Sequence, residues 1–192
     1  GLFHRGVAIG QVETEAEDLK VLFQDAFAAV WSGRAESDGF NALVVSAGLR
    51  WRQAMVLRAY AKYLRQTGTT FSQEYIEEAL AAHVPLVRLL VELFETRLDP
   101  TLDGDREASA EILTNQVLQG LDAVRSLDQD RIIRSLLSLI NATLRTNYFQ
   151  VDESGEPKSY VSFKLDPALV PDLPLPRPRF EIWVYSPRVE GV

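Results

Sequence analysis

Two periodicities divide this sequence. From Thr14 to about Asn147 apolar residues recur every three or four positions, the signature of helices that bury one stripe. After Asn147 they recur every second position, the signature of strands. In "TEAEDLKVLFQDAFAAVW", Leu19, Leu22, Phe23, Ala26, Phe27 and Val30 share a stripe. Thr14 with Glu17 matches a capping box, and Gly33 is a natural stop. A short helix is expected over about 38–47, closed by Gly48. "WRQAMVLRAYAKYLRQTG" follows, with a face of Met55, Val56, Ala59, Tyr60, Tyr63 and Leu64. Ser72 reads as the N-cap of "QEYIEEALAAH". Pro85 suits the first turn of the next helix, where its missing N–H costs nothing. Two longer helices are predicted over about 105–126, with Gly120 as a kink, and from 128 onward. Short connections predict antiparallel packing.

The back of the chain reads differently. Of nine prolines, seven lie between Pro157 and Pro187, and proline is incompatible with helix interiors. "NYFQVDESGEPKSYVSFKL" predicts a strand, a turn at 153–157 and a second strand in which Val161, Phe163 and Leu165 alternate with Ser162 and Lys164. "DPALVPDLPLPRPR" predicts an extended crossing loop. In "FEIWVYS", Phe180, Ile182 and Val184 face one way and Glu181, Trp183 and Tyr185 the other. The predicted fold is mainly α with a small C-terminal β portion (α+β), an antiparallel helical bundle followed by two to four strands. Residues 1–12 read as the remnant of a preceding module, 13–150 as a helical domain, and 151–192 as a β segment. The sequence stops as another apolar stretch begins. The expectation is a piece of a longer polypeptide whose strands, Phe180–Ser186 among them, sit at an open edge. They would pair with each other, fold onto the helices, or self-associate.

Composition narrows the function classes. The net charge of −7 argues against nucleic acid and anionic membranes as partners. There is no cysteine, so thiol chemistry and disulfides are excluded. Acidic residues at Glu13, Glu15, Glu17 and Asp18 leave no room for a signal peptide, and the most apolar run, "VPLVRLLVELF", is short and carries Arg88 and Glu92. A cytoplasmic protein is expected.

Candidate chemistry is sparse. "GVAIG" at 6–10 has the wrong spacing for a nucleotide loop and reads as a strand end. His4 and His83 are the two histidines, with no second ligand near either in sequence. Asp103 and Asp105 resemble the start of a calcium loop, but Thr114 stands where the closing glutamate is needed, and a capped turn explains them. Asp128 and Asp130 fall at a helix start, where capping and dipole compensation account for them. Arg177, Arg179 and Arg188 form a basic cluster that could meet a phosphate or carboxylate. Asn141–Thr143 is a glycosylation sequon inside a predicted helix. The face of "LRAYAKYLRQ" combines tyrosines with basic residues. On an acidic chain Tyr60 and Tyr63 read as half-buried packing residues with their hydroxyls at the rim. From these residues the catalytic, cofactor-binding and metal-binding sets are all predicted empty.

The stretches "WRQAMVLRAYAKYLRQTGTTFSQEYIEEAL", "LVELFETRLDP", "LINATLRTNYFQ" and above all "YVSFKLDPALVPDLPLPRPRFEIWVYSPRVEGV" resemble the large, multidomain NAD-specific glutamate dehydrogenases of bacteria. The resemblance covers about Val21 to Val192. It implies a parent enzyme that oxidises L-glutamate, with water, to 2-oxoglutarate and ammonia while reducing NAD. It also implies regulatory modules before this region, and a substrate-binding and then an NAD-binding domain of the Rossmann type. This chain would link the regulatory modules to the catalytic unit, with its last strands opening the substrate-binding domain. In the family, substrate lysines and nucleotide-binding glycines lie beyond the segment matched here. Neither Lys164 nor Arg188 takes a catalytic part on family grounds, and NAD is expected in the parent enzyme but not on this chain. Its partners would be the parent's other domains and subunits. The alternative is a stand-alone helical regulatory or interaction module.

Overall fold

The computed structural model describes residues 7–171 and 173–192. Seven α-helices precede a four-stranded antiparallel sheet, mainly α with a small β part. Helix α1 spans Val7–Trp31, so "GVAIG" from Val7 on is helical rather than a strand end. Thr14 lies inside the helix, not at its cap. His4 lies outside the described residues. Asp38 caps a 3₁₀ turn at Gly39–Asn41, its side chain accepting from the Phe40 N–H. Helix α2 (Ala42–Ser46) follows, then α3 (Trp51–Gln66). Ser72 caps α4 (Gln73–Ala82) as its sequence position predicts, and Pro85 sits in the first turn of α5 (Val84–Leu98). Asp105 caps α6 (Arg106–Leu121) and Ser126 caps α7 (Leu127–Ala142).

Gly120 does not kink α6. It lets α6 approach α5, since a Cβ there would lie 2.4 Å from Leu86 Cδ2. Helix α3 is the centre of the fold. Ala54 through Ala61 and Tyr63 are all buried, so α3 is covered on every side and is not a one-faced surface helix. It is held by α2, α4 and α7, and by the sheet.

The sheet begins sooner than the pattern predicts. Strand β1 is Thr143–Thr146, entered directly from α7. "NYFQV" is not a strand, and Val151 only bridges to Pro157 across a turn. Strands β2 (Val161–Leu165), β3 (Glu181–Tyr185) and β4 (Glu190–Gly191) complete a simple meander in the order β1-β2-β3-β4. A bulge lies between Thr143 and Arg145. β3 therefore lies between β2 and β4, paired to β2 along its length but to β4 only at Val184 and Tyr185. Val161, Phe163 and Leu165 are buried against the helices, matching the predicted alternation. On β3 the buried face is Trp183 and Tyr185, while Phe180 and Ile182 face solvent. The indole and phenol rings bury more apolar surface than Ile and Val, and their polar atoms find partners below the sheet. The connection from β2 to β3 opens with a 3₁₀ turn at Pro167–Leu169 and, in its described residues, bends again at Leu175–Pro176 and Arg179 where an extended crossing was expected.

Candidate functional site: the junction of helix α3 with the sheet

The polar side chains of α3 converge on what surrounds it. Near its start, Arg52 donates from Nη2 to the Tyr148 carbonyl at 2.7 Å and from Nη1 to that of Lys158 at 3.2 Å. Its guanidinium lies over the Tyr148 ring at 4.9 Å. Arg58 is fully buried. Its Nε and Nη2 each donate to a carboxylate oxygen of Asp38 at 2.6 Å, and Nη2 also donates to Asn41 Oδ1 at 2.8 Å. The remaining nitrogen, Nη1, has no acceptor among the described residues, and the guanidinium sits 5.5 Å from the Phe40 ring centroid. Burial disfavours the Arg58 charge, but the hydrogen bonds and charge of Asp38 outweigh it and hold the arginine pKa above its usual value.

Tyr60 and Tyr63, expected at the rim, are completely buried. The Tyr60 hydroxyl lies 2.7 Å from Thr143 Oγ1, which itself donates to the Leu139 carbonyl. Tyr60 is thereby left as the donor to Thr143. The Tyr63 hydroxyl donates to the Glu181 carboxylate on β3. Trp183 Nε1 donates to the Ala59 carbonyl at 2.9 Å. Lys62 bridges Glu36 at 2.9 Å and Glu190 of β4 at 3.2 Å, and Tyr185 donates to the same Glu36 oxygen at 2.9 Å. Burial raises the pKa of Tyr60, Tyr63 and Tyr185 well above the ordinary phenol range, and that of Tyr148 to about 12. Every strand except β2 thus has a polar contact with α3, and β2 contributes Phe163, tilted against Tyr60 at 4.6 Å between centroids.

The candidates singled out in the sequence do not join this cluster. His83 sits between α4 and α5 with Nε2 2.9 Å from Gln129 Oε1. Asp105 is the α6 cap, accepting from the Ala108 N–H. Asp128 and Asp130 lie in the first turn of α7, where Asp130 accepts from Arg134 at 2.8 Å. Thr143 of the sequon is buried. Arg177 donates to the carbonyls of Leu173 and Pro167, and Arg179 lies over the Phe180 ring at 5.4 Å. Arg188 instead lines a mainly apolar groove of about 570 Å³ between the end of α1 and the β3–β4 hairpin, where Arg34 also lies. The three arginines therefore serve different surroundings. Lys164 lies 4.0 Å over the Phe180 ring on the outer face. Among the described residues no three His, Cys, Asp or Glu side chains are grouped to hold a metal ion.

The buried Arg58–Asp38 pair escaped the sequence reading. The signal was present, since Arg58 interrupts an otherwise apolar stretch, but the partner lies 20 residues away in a loop.

A family described as "Glutamate dehydrogenase, helical motif 3" matches residues 35–100, and one described as "Bacterial NAD-glutamate dehydrogenase, catalytic domain" matches residues 116–192. The boundary between the two matches falls within the α5–α6 region, and each contributes to the junction: the first supplies α3, the second the sheet. This chain belongs to the bacterial NAD-specific glutamate dehydrogenases. It is 48% identical to the NAD-specific glutamate dehydrogenase of Pseudomonas aeruginosa over 184 residues, covering 94% of this chain and 11% of that relative. With the Mycobacterium tuberculosis protein of the same name it shares 51% identity over 172 residues, covering 88% of this chain and 11% of the relative. With that of Halomonas elongata it shares 45% over 181 residues. The chain thus spans about 11% of the length of these dehydrogenases.

Proposed function

We propose that this chain is the coupling segment of an NAD-dependent glutamate dehydrogenase. In this reading α1–α5 form the end of the helical region that follows the regulatory modules. The chain from within α6 onward, through α7 and β1–β4, opens the catalytic region with the first strands of the substrate-binding domain. The whole enzyme converts L-glutamate, NAD and water to 2-oxoglutarate, ammonia and NADH. The segment carries load between modules and takes no part in the chemistry. The supporting observation is the junction itself, in which α3 is bonded to β1 and β3 by buried polar contacts and to β4 by the partly exposed Lys62–Glu190 pair.

NAD does not fit the described residues. A dinucleotide cradle needs a strand leading through a glycine-rich turn into a helix of a parallel sheet. Here the sheet is an antiparallel meander, and no strand runs into an α-helix. The cofactor is assigned to polypeptide outside this segment. The parent's other domains are the partners, and the cytoplasm is the proposed compartment. No helix among the described residues is long and apolar enough to cross a membrane.

The test compares NADH formation from glutamate by the full-length gene product and by the 192-residue chain. Activity is expected from the first and none from the second. Turnover by the 192-residue chain, or an inactive full-length protein, overturns the proposal.

A further inference from the structure

Strand β3 is paired along its whole length on the β2 side, from Val161↔Tyr185 to Leu165↔Glu181. On its other side only Val184 and Tyr185 have partners, Gly191 and Glu190. The hairpin closes where the Ser186 N–H donates to the Val189 carbonyl at 2.8 Å. Hydrogen-bonded and non-hydrogen-bonded pairs alternate along an antiparallel ladder. Ser186–Val189 is a hydrogen-bonded pair, so Val184–Gly191 is the next. The following such position on β3 is Ile182, and its partner falls one residue past Val192. Among the described residues no backbone group pairs with Ile182 on that side.

Natural sheets blunt such edges with lysine, proline, bulges or inward charges. Along 181–183 this edge has no lysine, proline or bulge, and its one inward charge is already engaged by α3. Ile182 is 56% exposed and Phe180 43% exposed. Glu181, the one charge, points inward and accepts from Tyr63. The edge is a strand template with a β-branched side chain beside it.

We propose that the edge is filled by the polypeptide that follows Val192 in the longer dehydrogenase. That polypeptide extends β4, so that the residue one past Val192 exchanges both backbone hydrogen bonds with Ile182. The inference rests on the reading of this chain as part of that enzyme, and adds where the next segment docks. The hairpin selects this occupant over a second copy of the chain. The turn at Pro187–Arg188 has already fixed the register, and a tethered strand pairs at an effective concentration that no separate molecule matches. In that register the residue two past Val192 faces inward, beside Glu181 and Tyr63. The incoming segment is thereby seated on α3, through the same contacts that hold the rest of the sheet.

Hydrogen–deuterium exchange read by mass spectrometry over peptides spanning 180–186 tests this, comparing the full-length enzyme with the 192-residue chain. Exchange is expected to be slower in the full-length enzyme by at least on the order of tenfold. Equal rates in an active full-length enzyme overturn the strand while leaving the proposed function standing. Protection in the 192-residue chain that grows with concentration, alongside a dimer in size-exclusion chromatography, overturns it in favour of a second copy. Slower exchange in a full-length protein that fails to reduce NAD supports the strand and refutes the function.

Discussion

Arg58 is the residue on which the packing around α3 is most exposed to damage. Its charge is buried and balanced by a single carboxylate, that of Asp38. Removing one member of such a pair strands the other without compensation. Asp38→Ala is expected to destabilise the chain by about 3–5 kcal/mol in urea unfolding, the range for a broken buried pair. A loss below about 1 kcal/mol, the scale of an exposed ion pair, would contradict the geometry. The tyrosines give a pH signature. The folded pKa values of Tyr60, Tyr63, Tyr148 and Tyr185 all lie above the unfolded phenol value of about 10. The stability linked to their neutral forms is complete below about pH 10 and is lost as pH rises through the folded values. Tyrosinate absorbance for these four should appear together with the loss of near-ultraviolet circular dichroism. Ionisation of all six tyrosines in a chain that keeps its native spectrum would count against the burial described here.

At the scale of elements, the helices were legible because their signals are local. Ser72 caps α4 as its position predicts, and Asp105 and Ser126 cap α6 and α7, each accepting from the N–H three residues on. The sequence pattern puts Ser126 at the end of the preceding helix and the start of the next at Asp128 and Asp130, which lie instead in the first turn of α7. The start of α1 was misread because a valid capping pattern at Thr14 and Glu17 occurs inside a helix that begins earlier. The strands were legible by alternation, but their surroundings were not. Nothing in "TLRT" announces β1, a short strand with a bulge whose pairing to β2 depends on residues about twenty positions away. The choice of inner face on β3 likewise depended on Ala59, Tyr63 and Glu36, which lie far off in sequence. The absence of a catalytic motif was a reading of types and spacings, and the buried ion pair at α3 could not be found that way. β2 supplies the central apolar contact, with Phe163 against Tyr60 and edge-on to Phe94. Phe163→Ala is expected to cost about 3–5 kcal/mol, as large-to-small changes in aromatic cores do, with far-ultraviolet evidence of helix retained at low denaturant. A cost under about 1 kcal/mol would mean that the sheet is not packed on α3. On β4, Glu190 is partly exposed, so Glu190→Gln should cost no more than about 1 kcal/mol while loosening exchange in 184–191.

For the whole molecule, helical and β portions form one packed body, with a main buried apolar cluster running from Phe40 in the loop before α2 to Tyr185 in β3, and a small second cluster of Ala26, Val44 and Ala54 where α1 meets α2 and α3. A division at residue 150, expected from the change of period, would cut through that cluster, since β1 is already part of the sheet. Removing residues 151–192 should therefore leave an insoluble or molten product instead of a stable bundle, judged by near-ultraviolet circular dichroism. A cooperatively folded 1–150 chain would show the two portions to be independent.

Helix α7 passes into β1 at Ala142–Thr143 without an intervening loop, and both residues are buried. The seam therefore has no slack at which one portion could swivel against the other. Displacement of the bundle must carry the sheet with it as a lever carries its load, and limited proteolysis should spare this passage while nicking the exposed turn at 152–156.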